Sequence, residues 1–287
     1  MSTPEEPACR WQRLVRAKFA EMERLSPQAD RIGPAFWDTR AERYAQRVAG
    51  TAERDPFVRR ARRHIGRRTV VLDVGAGTGR ITVALAPRAR EVVAVDPSAG
   101  MLEVLTRDAA RAGLTNVRTL HAPWEESGDV VGDVAVCAYV LPIVEDVAPF
   151  LRKLDRAVRR RVLISMAGAS TDLLFDPIWR HFHGQPRAPG PTYLDAVAVL
   201  ATLGVTADVD IVEVPARARF PDLDEAVEDY RRSLCLPDTA EARAELRPLL
   251  DDWLIERGDG LGAPVRSLPA AVVSWTPQGP SGDGTVT

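Results

Sequence analysis

The residues best suited to chemistry lie in one run, Val70-Val71-Leu72-Asp73-Val74-Gly75-Ala76-Gly77-Thr78-Gly79. Aliphatic residues followed by glycine at every second position read as a buried parallel strand ending in a tight loop, where glycine lets backbone approach a ligand. The pattern Ile81-Thr82-Val83-Ala84-Leu85-Ala86 then opens a helix whose first-turn N–H groups face whatever sits in the loop. A second aliphatic run, Glu91-Val92-Val93-Ala94-Val95, ends in Asp96, seventeen residues beyond Gly79. A carboxylate at the tip of the second strand of a βαβ unit suits the two hydroxyls of a ribose.

The glycine spacing narrows the ligand. A dinucleotide fingerprint places glycines at its first, third and sixth positions. Counted from Gly75, the sixth position is Arg80, and the third glycine comes one residue early. A phosphate-binding P-loop ends in Gly-Lys-Ser or Gly-Lys-Thr, which this chain lacks. Asp73-x-Gly75-x-Gly77-x-Gly79 followed by Asp96 resembles motif I and the acid after it in the class I S-adenosylmethionine-dependent methyltransferases. The likeness runs from about residue 68 to 170, with a looser fit on both sides. It implies a Rossmann-like three-layer α/β sandwich, with a seven-stranded, mostly parallel sheet whose last strand is antiparallel. It also implies S-adenosyl-L-methionine as cofactor and methyl transfer by in-line displacement. Such a reaction needs positioning and desolvation, because the sulfonium leaving group is already activated. No acid, metal or nucleophile of the protein is obligatory.

Carried onto this chain, the resemblance sets Gly75, Ala76, Gly77 and Gly79 against the cofactor. Asp73 is expected to hold the loop and, directly or through water, the methionine ammonium; capping the loop's N–H groups is an equally open role. Asp96 is expected on the ribose hydroxyls, with helix capping as its alternative. Pro97 and Met101 would lie near the adenine, although Met101 at helical spacing also reads as core. The stretch His121-Ala122-Pro123-Trp124-Glu125-Glu126 takes the place of a loop beside the adenine that carries an acid in many relatives. Trp124 and Glu125 are the nearest candidates here, and Trp124 either stacks on the base or covers the sheet edge.

The stretch Cys137-Ala138-Tyr139-Val140-Leu141-Pro142 lies at the carboxyl end of the fourth strand, where ligands bind in open α/β sheets. It lacks the polar-Pro-Pro-aromatic run of DNA amino-methyltransferases and the Pro-Cys pair of cytosine-C5 enzymes. Cys137 therefore reads as a small buried residue beneath the cofactor rather than a nucleophile. Tyr139, His181 and His183 are the candidates for a catalytic role; a histidine there could remove the acceptor's proton. Trp37 and Tyr44, seven apart on one helix face, read as a lid over the cofactor or as that helix's core stripe. Arg59-Arg60-x-Arg62-Arg63-His64-x-x-Arg67-Arg68 is the one dense basic run, echoed by Arg159-Arg160-Arg161. With a net charge of −2 and no nucleic-acid motif, it reads as a solvated helix face rather than a phosphate-binding site.

The elements that must position these residues follow from periodicity. Helices are expected at 10–26, 35–49 and 55–65, then strand 69–74, helix 79–87, strand 91–95, helix 98–112 and a short strand at 117–120. Strand 133–137, helix 146–157 and strand 161–166 complete an alternation that means a parallel sheet. Residues 171–190 read as a loop or short helices. Helix 191–203, strand 207–215, helices 222–236 and 239–257 and a strand at 270–275 follow. Residues 1–66 thus form an N-terminal helical lid segment and 67–277 the cofactor-binding domain, with a helical insertion at about 217–267. Residues 278–287 read as a disordered tail.

Composition is that of a soluble globular chain: 287 residues, 45% hydrophobic and 27% charged. No apolar run approaches the ~18 residues of a membrane span, and no secretory signal is visible at the start. The three cysteines, Cys9, Cys137 and Cys235, are far apart and include no Cys-x-x-Cys pair, which argues for reduced thiols in a cytoplasm and against a structural zinc. The expectation is a methyltransferase acting on a small-molecule acceptor, with no metal, membrane or nucleic-acid partner. The alternatives are an RNA- or protein-modifying methyltransferase and a non-catalytic cofactor-binding regulator.

Overall fold

The computed structural model describes residues 5–26, 33–167, 174–216, 220–258 and 260–278. Helices α1 (Pro7–Leu25), α2 (Pro34–Asp38), α3 (Ala41–Val48) and α4 (Pro56–Arg62) precede the sheet. The stretch 35–49, expected as one helix, is two, interrupted at Thr39-Arg40, where the Thr39 hydroxyl donates to the Phe36 carbonyl. The alternating core is β1 (Val70–Val74), α5 (Arg80–Leu85), β2 (Glu91–Asp96), α6 (Ala99–Arg111), β3 (Val117–His121), β4 (Gly132–Ala138), α7 (Val147–Arg156) and β5 (Val158–Ala167). Then come α8 (Asp176–His183), α9 (Tyr193–Thr202), β6 (Asp208–Pro215), α10 (Leu223–Ser233), α11 (Ala240–Trp253), a small hairpin β7 (Ile255–Arg257) and β8 (Gly260–Gly262), and β9 (Ser267–Trp275). The hairpin replaces the end of the helix expected at 239–257. The expected tail lies outside the described residues except for Gln278.

The sheet order is β3-β2-β1-β4-β5-β9-β6, and β9 runs antiparallel to both its neighbours. The other adjacent pairs are parallel. Strand residues alternate between two cores, as a half-turn side-chain period dictates. Leu72, Val74, Val93 and Val95 pack beneath α1, α7 and α9 with Trp11, Phe150, Leu154 and Val199. Val71 and Val92 face the other way, onto Phe57, Ala61, Ile81 and Leu85 of α4 and α5. Asp73 shares that second face, which puts its carboxylate against α5.

A separate small core joins α8, α10 and α11 through Trp179, Tyr230, Leu246 and Leu250, with Met22 and Leu25 of α1 packed against it. The expected helical insertion between β6 and β9 therefore carries its own apolar centre. Among the described residues no helix is long and apolar enough to cross a membrane.

Candidate active site

The loop after β1 is fixed on both sides by packing. Gly75 and Ala76 donate their N–H groups to the Val95 carbonyl at 2.8 and 3.1 Å, tying the loop to β2. A Cβ on Gly75 would lie 2.2 Å from Val140 Cγ2, and one on Gly79 would lie 2.6 Å from Leu105 Cγ. Gly77, at φ +54°, is different: a Cβ there meets nothing within 4 Å. Gly75 and Gly79 make room for neighbours already present, whereas Gly77 borders open space that a ligand can fill.

Asp96 anchors the rim of that space. Its Oδ2 accepts from Gly77 N at 2.8 Å and its Oδ1 from Ser98 N at 2.9 Å. Each oxygen retains a second lone pair, so hydroxyl recognition and capping are compatible roles. Burial pushes its pKa up, and the two N–H bonds oppose that. Ser98 in turn caps α6 by accepting from Met101 N at 3.2 Å. Asp38, at the end of α2, accepts from the Ser98 hydroxyl at 2.7 Å and from Gly100 N at 2.9 Å. These bonds to the Ser98 hydroxyl and Gly100 N–H hold the Asp38 carboxyl below its usual range. The N-terminal segment is thus seated on the first turn of α6, next to the cofactor loop. Sequence reading had no signal for Asp38, because its partners lie about sixty residues away.

Asp73 is 1% exposed and accepts from the Thr82 hydroxyl at 2.6 Å. Burial raises its pKa to about 6, with the Thr82 hydrogen bond pulling the other way. That bond ties β1 to the first turn of α5. Met101 is 4% exposed and packs with Ala41 and Val104 against Trp37 and Tyr44. Trp37 and Tyr44 meet edge to face at 5.6 Å, so the aromatic pair covers α6 as a core stripe. The Pro97 carbonyl accepts from His121 Nε2 at 3.0 Å, which brings the loops after β2 and β3 together.

Trp124 requires a correction. Its indole is 4% exposed, packs beside Phe150, and donates to the Phe150 carbonyl at 3.3 Å. Lys153 lies 4.8 Å from the ring centroid and donates to the Trp124 carbonyl. With the ring enclosed by α7, Trp124 covers the sheet edge and leaves no face for a base. Glu125 follows it with an exposed side chain on the same short turn. Cys137 is fully buried; burial, with Asp73 nearby, pushes its thiol well above the ordinary range, so it holds no thiolate.

The two histidines also lie elsewhere than expected. His181 Nε2 is 2.9 Å from Glu245 on the outer surface of α8 and α11. His183 donates from Nε2 to the Leu234 carbonyl at 2.7 Å and stacks against Trp179. Neither lines the cavity described next, because α8 turns them toward the helical insertion.

A cavity of about 430 Å³ opens at the carboxyl edge of the sheet beside the glycine loop, within the size range of small-molecule sites. Tyr44 of α3, Phe175 before α8, Val214 at the end of β6, Tyr230 of α10 and Trp253 of α11 form its walls. Tyr139 reaches it from the end of β4 at φ +62°, a conformation that non-glycine residues adopt only under constraint. The ring is exposed to the cavity while the walls surround it, and that burial raises the hydroxyl's pKa against a hydrogen bond with Ser165. Sequence reading missed the other polar feature, a buried pair in which Arg80 Nη1 meets Asp55 Oδ2 at 2.5 Å. Asp55 also caps α4 by accepting from Phe57 N at 2.8 Å. Asp55 lies twenty-five residues before Arg80, outside any local pattern.

The basic run lies at the opposite edge. Arg60 pairs with Asp210, Arg62 with Glu53, and Arg160 donates to the His64 carbonyl. Those contacts run α4 from the carboxyl edge of the sheet at Asp55 to its amino edge at His64.

Residues 71–161 match the family described as "Methyltransferase domain". Together with the sheet order and the glycine loop, this match makes residues 71–161 similar to the class I S-adenosylmethionine-dependent methyltransferases, a family whose cofactor is S-adenosylmethionine. The chain is 30% identical over 117 residues to the "Uncharacterized methyltransferase YcgJ" of Bacillus subtilis, covering 39% of this chain and 46% of the relative. It is 27% identical over 186 residues to an uncharacterized protein of Haemophilus influenzae, covering 63% of this chain and 68% of that one. The crystal structure of the Bacillus YcgJ protein superposes with a TM-score of 0.52 at 19% identity, covering 77% of this chain and 95% of that structure.

Proposed function

We propose that this protein transfers the methyl group of S-adenosylmethionine to a small-molecule acceptor held in the cavity at the carboxyl edge of the sheet. The observation that carries the reading is the cavity beside the glycine loop, walled by side chains from the N-terminal helices, the segment before α8 and the insertion. Gly77 and Asp96 fit the cofactor, because the loop glycine with open space above it adjoins a carboxylate with lone pairs to offer. When bound, the cofactor supplies a methyl group on a positively charged sulfur that departs as a neutral thioether.

The remaining work falls to this chain's own residues. Gly75 to Gly79 and Asp96 hold the donor, while Tyr44, Phe175 and Trp253 exclude water and orient the acceptor for in-line approach. Tyr139 stands between loop and cavity, placed to align the acceptor. An RNA-modifying role has less support, because the arginine run lies at the amino edge of the sheet, remote from the loop, and two of its members are already paired. The test is transfer of labelled methyl from S-adenosylmethionine into cell extract. The expected result is label in the small-molecule filtrate; label confined to RNA or protein would contradict the proposal.

A further inference from the structure

We infer that the acceptor is an organic acid, an apolar body carrying one carboxylate whose charge is met by Arg54 at the cavity wall. This deepens the proposed function and rests on it in taking the cavity as the acceptor's.

Three guanidinium groups line the cavity, Arg47, Arg54 and Arg80, against a single carboxylate, Asp55. Arg80 is matched by Asp55 at 2.5 Å, and Arg47 by Asp229 at 2.7 Å. Arg54 has no ion-pair or hydrogen-bond partner among the described residues. The rest of the lining is Thr51, three tyrosines and apolar residues such as Phe175, Val214 and Trp253. A concave apolar wall carrying one uncompensated positive charge selects a monoanion with an apolar body. The planar guanidinium fork matches a carboxylate, bidentate, better than it matches a neutral hydroxyl or amide. A cationic acceptor would add to the local positive charge.

The methionine carboxylate of the cofactor offers the same chemistry, and Arg54→Ala separates the two, because it spares S-adenosylhomocysteine only if the residue serves the acceptor. Arg54 lies two residues before α4, whose N-cap Asp55 pairs with Arg80 and whose Arg60 pairs with Asp210 of β6. The cavity reaches from Arg80, next to the glycine loop, to Val214, Pro215 and Ala216 at the β6 end of the sheet.

The experiment uses the full chain saturated with S-adenosylhomocysteine and titrated by calorimetry with cinnamate, 4-phenylbutyrate and decanoate, each beside its primary amide. At least one acid is expected to bind about tenfold more tightly than its amide. Arg54→Ala should remove that preference, weakening the acid about tenfold while leaving the amide and S-adenosylhomocysteine unchanged. Arg54→Lys should recover part of it, which a merely structural role would not do. The inference is overturned if no acid outbinds its amide, or if Arg54→Ala weakens S-adenosylhomocysteine instead, which would assign the residue to the cofactor. Failure of the wild type to bind S-adenosylhomocysteine at all would defeat the methyltransferase reading itself, a separate outcome.

Discussion

At the β1–β2 end of the sheet the loop is closed on itself, with N–H groups bound by Val95 and Asp96 and glycines pressed against Val140 and Leu105. Toward the β9–β6 end, segments distant in the chain wall a cavity, and its charged groups are an isolated cation and buried or half-buried pairs. The first region is preorganised for a single ligand by backbone geometry. The second is set by side chains, which change without disturbing the sheet. On the proposed reading, that division assigns the backbone-built end to the cofactor and the side-chain-built end to the acceptor.

The separation is open to direct attack. Leu246 is fully buried in the small core of the insertion. Leu246→Ala should cost about 2–5 kcal/mol of stability in chemical denaturation, yet leave S-adenosylhomocysteine affinity within about twofold. A large loss of affinity would show that the two regions are coupled.

Asp73 tests the closed end. Burial raises its pKa to about 6, above that of the unfolded chain. The folded state therefore binds a proton that the unfolded state releases. Its contribution is fully present below about pH 4 and is lost as the pH rises through about 6. Relative to Asp73→Asn, the wild type should gain about 2 kcal/mol between roughly pH 7.5 and pH 4. A difference that does not vary with pH would show that Asp73 titrates as an ordinary carboxylate.

Asp96→Ala should weaken S-adenosylhomocysteine by about 1–3 kcal/mol, since it removes a charge-assisted acceptor and leaves two N–H groups unpaired. Unchanged affinity by calorimetry would move the ribose elsewhere. The smallest effect belongs to the basic run. Arg63→Ala and Arg67→Ala lie on the exposed face and should change stability by no more than about 0.5 kcal/mol and binding not at all.

The same division explains what the chain order reveals. Gly75, Gly77, Gly79 and Asp96 are legible because a strand, a turn and a strand tip are local, and their spacing fixes their geometry. The alternation of strands and helices likewise identifies the parallel sheet. Trp124 misleads because its place is decided by Phe150 and Lys153 of α7, which no local pattern connects to it. His181 and His183 mislead for the same reason, since α8 turns them toward Glu245 and Leu234. The Arg80–Asp55 pair and the cavity walls depend on contacts across tens or hundreds of residues. The hairpin of β7 and β8 is too short to impose a period on its sequence.

On the proposed reading, the open space above Gly77 receives the cofactor. Calorimetric titration of S-adenosylhomocysteine into wild type and Gly77→Val, with circular dichroism to verify that both are folded, tests it most directly. The account predicts one-to-one binding by the wild type and a loss of about hundredfold or more in the folded variant, because the valine side chain occupies the space. A folded Gly77→Val protein that binds as tightly as the wild type would contradict it.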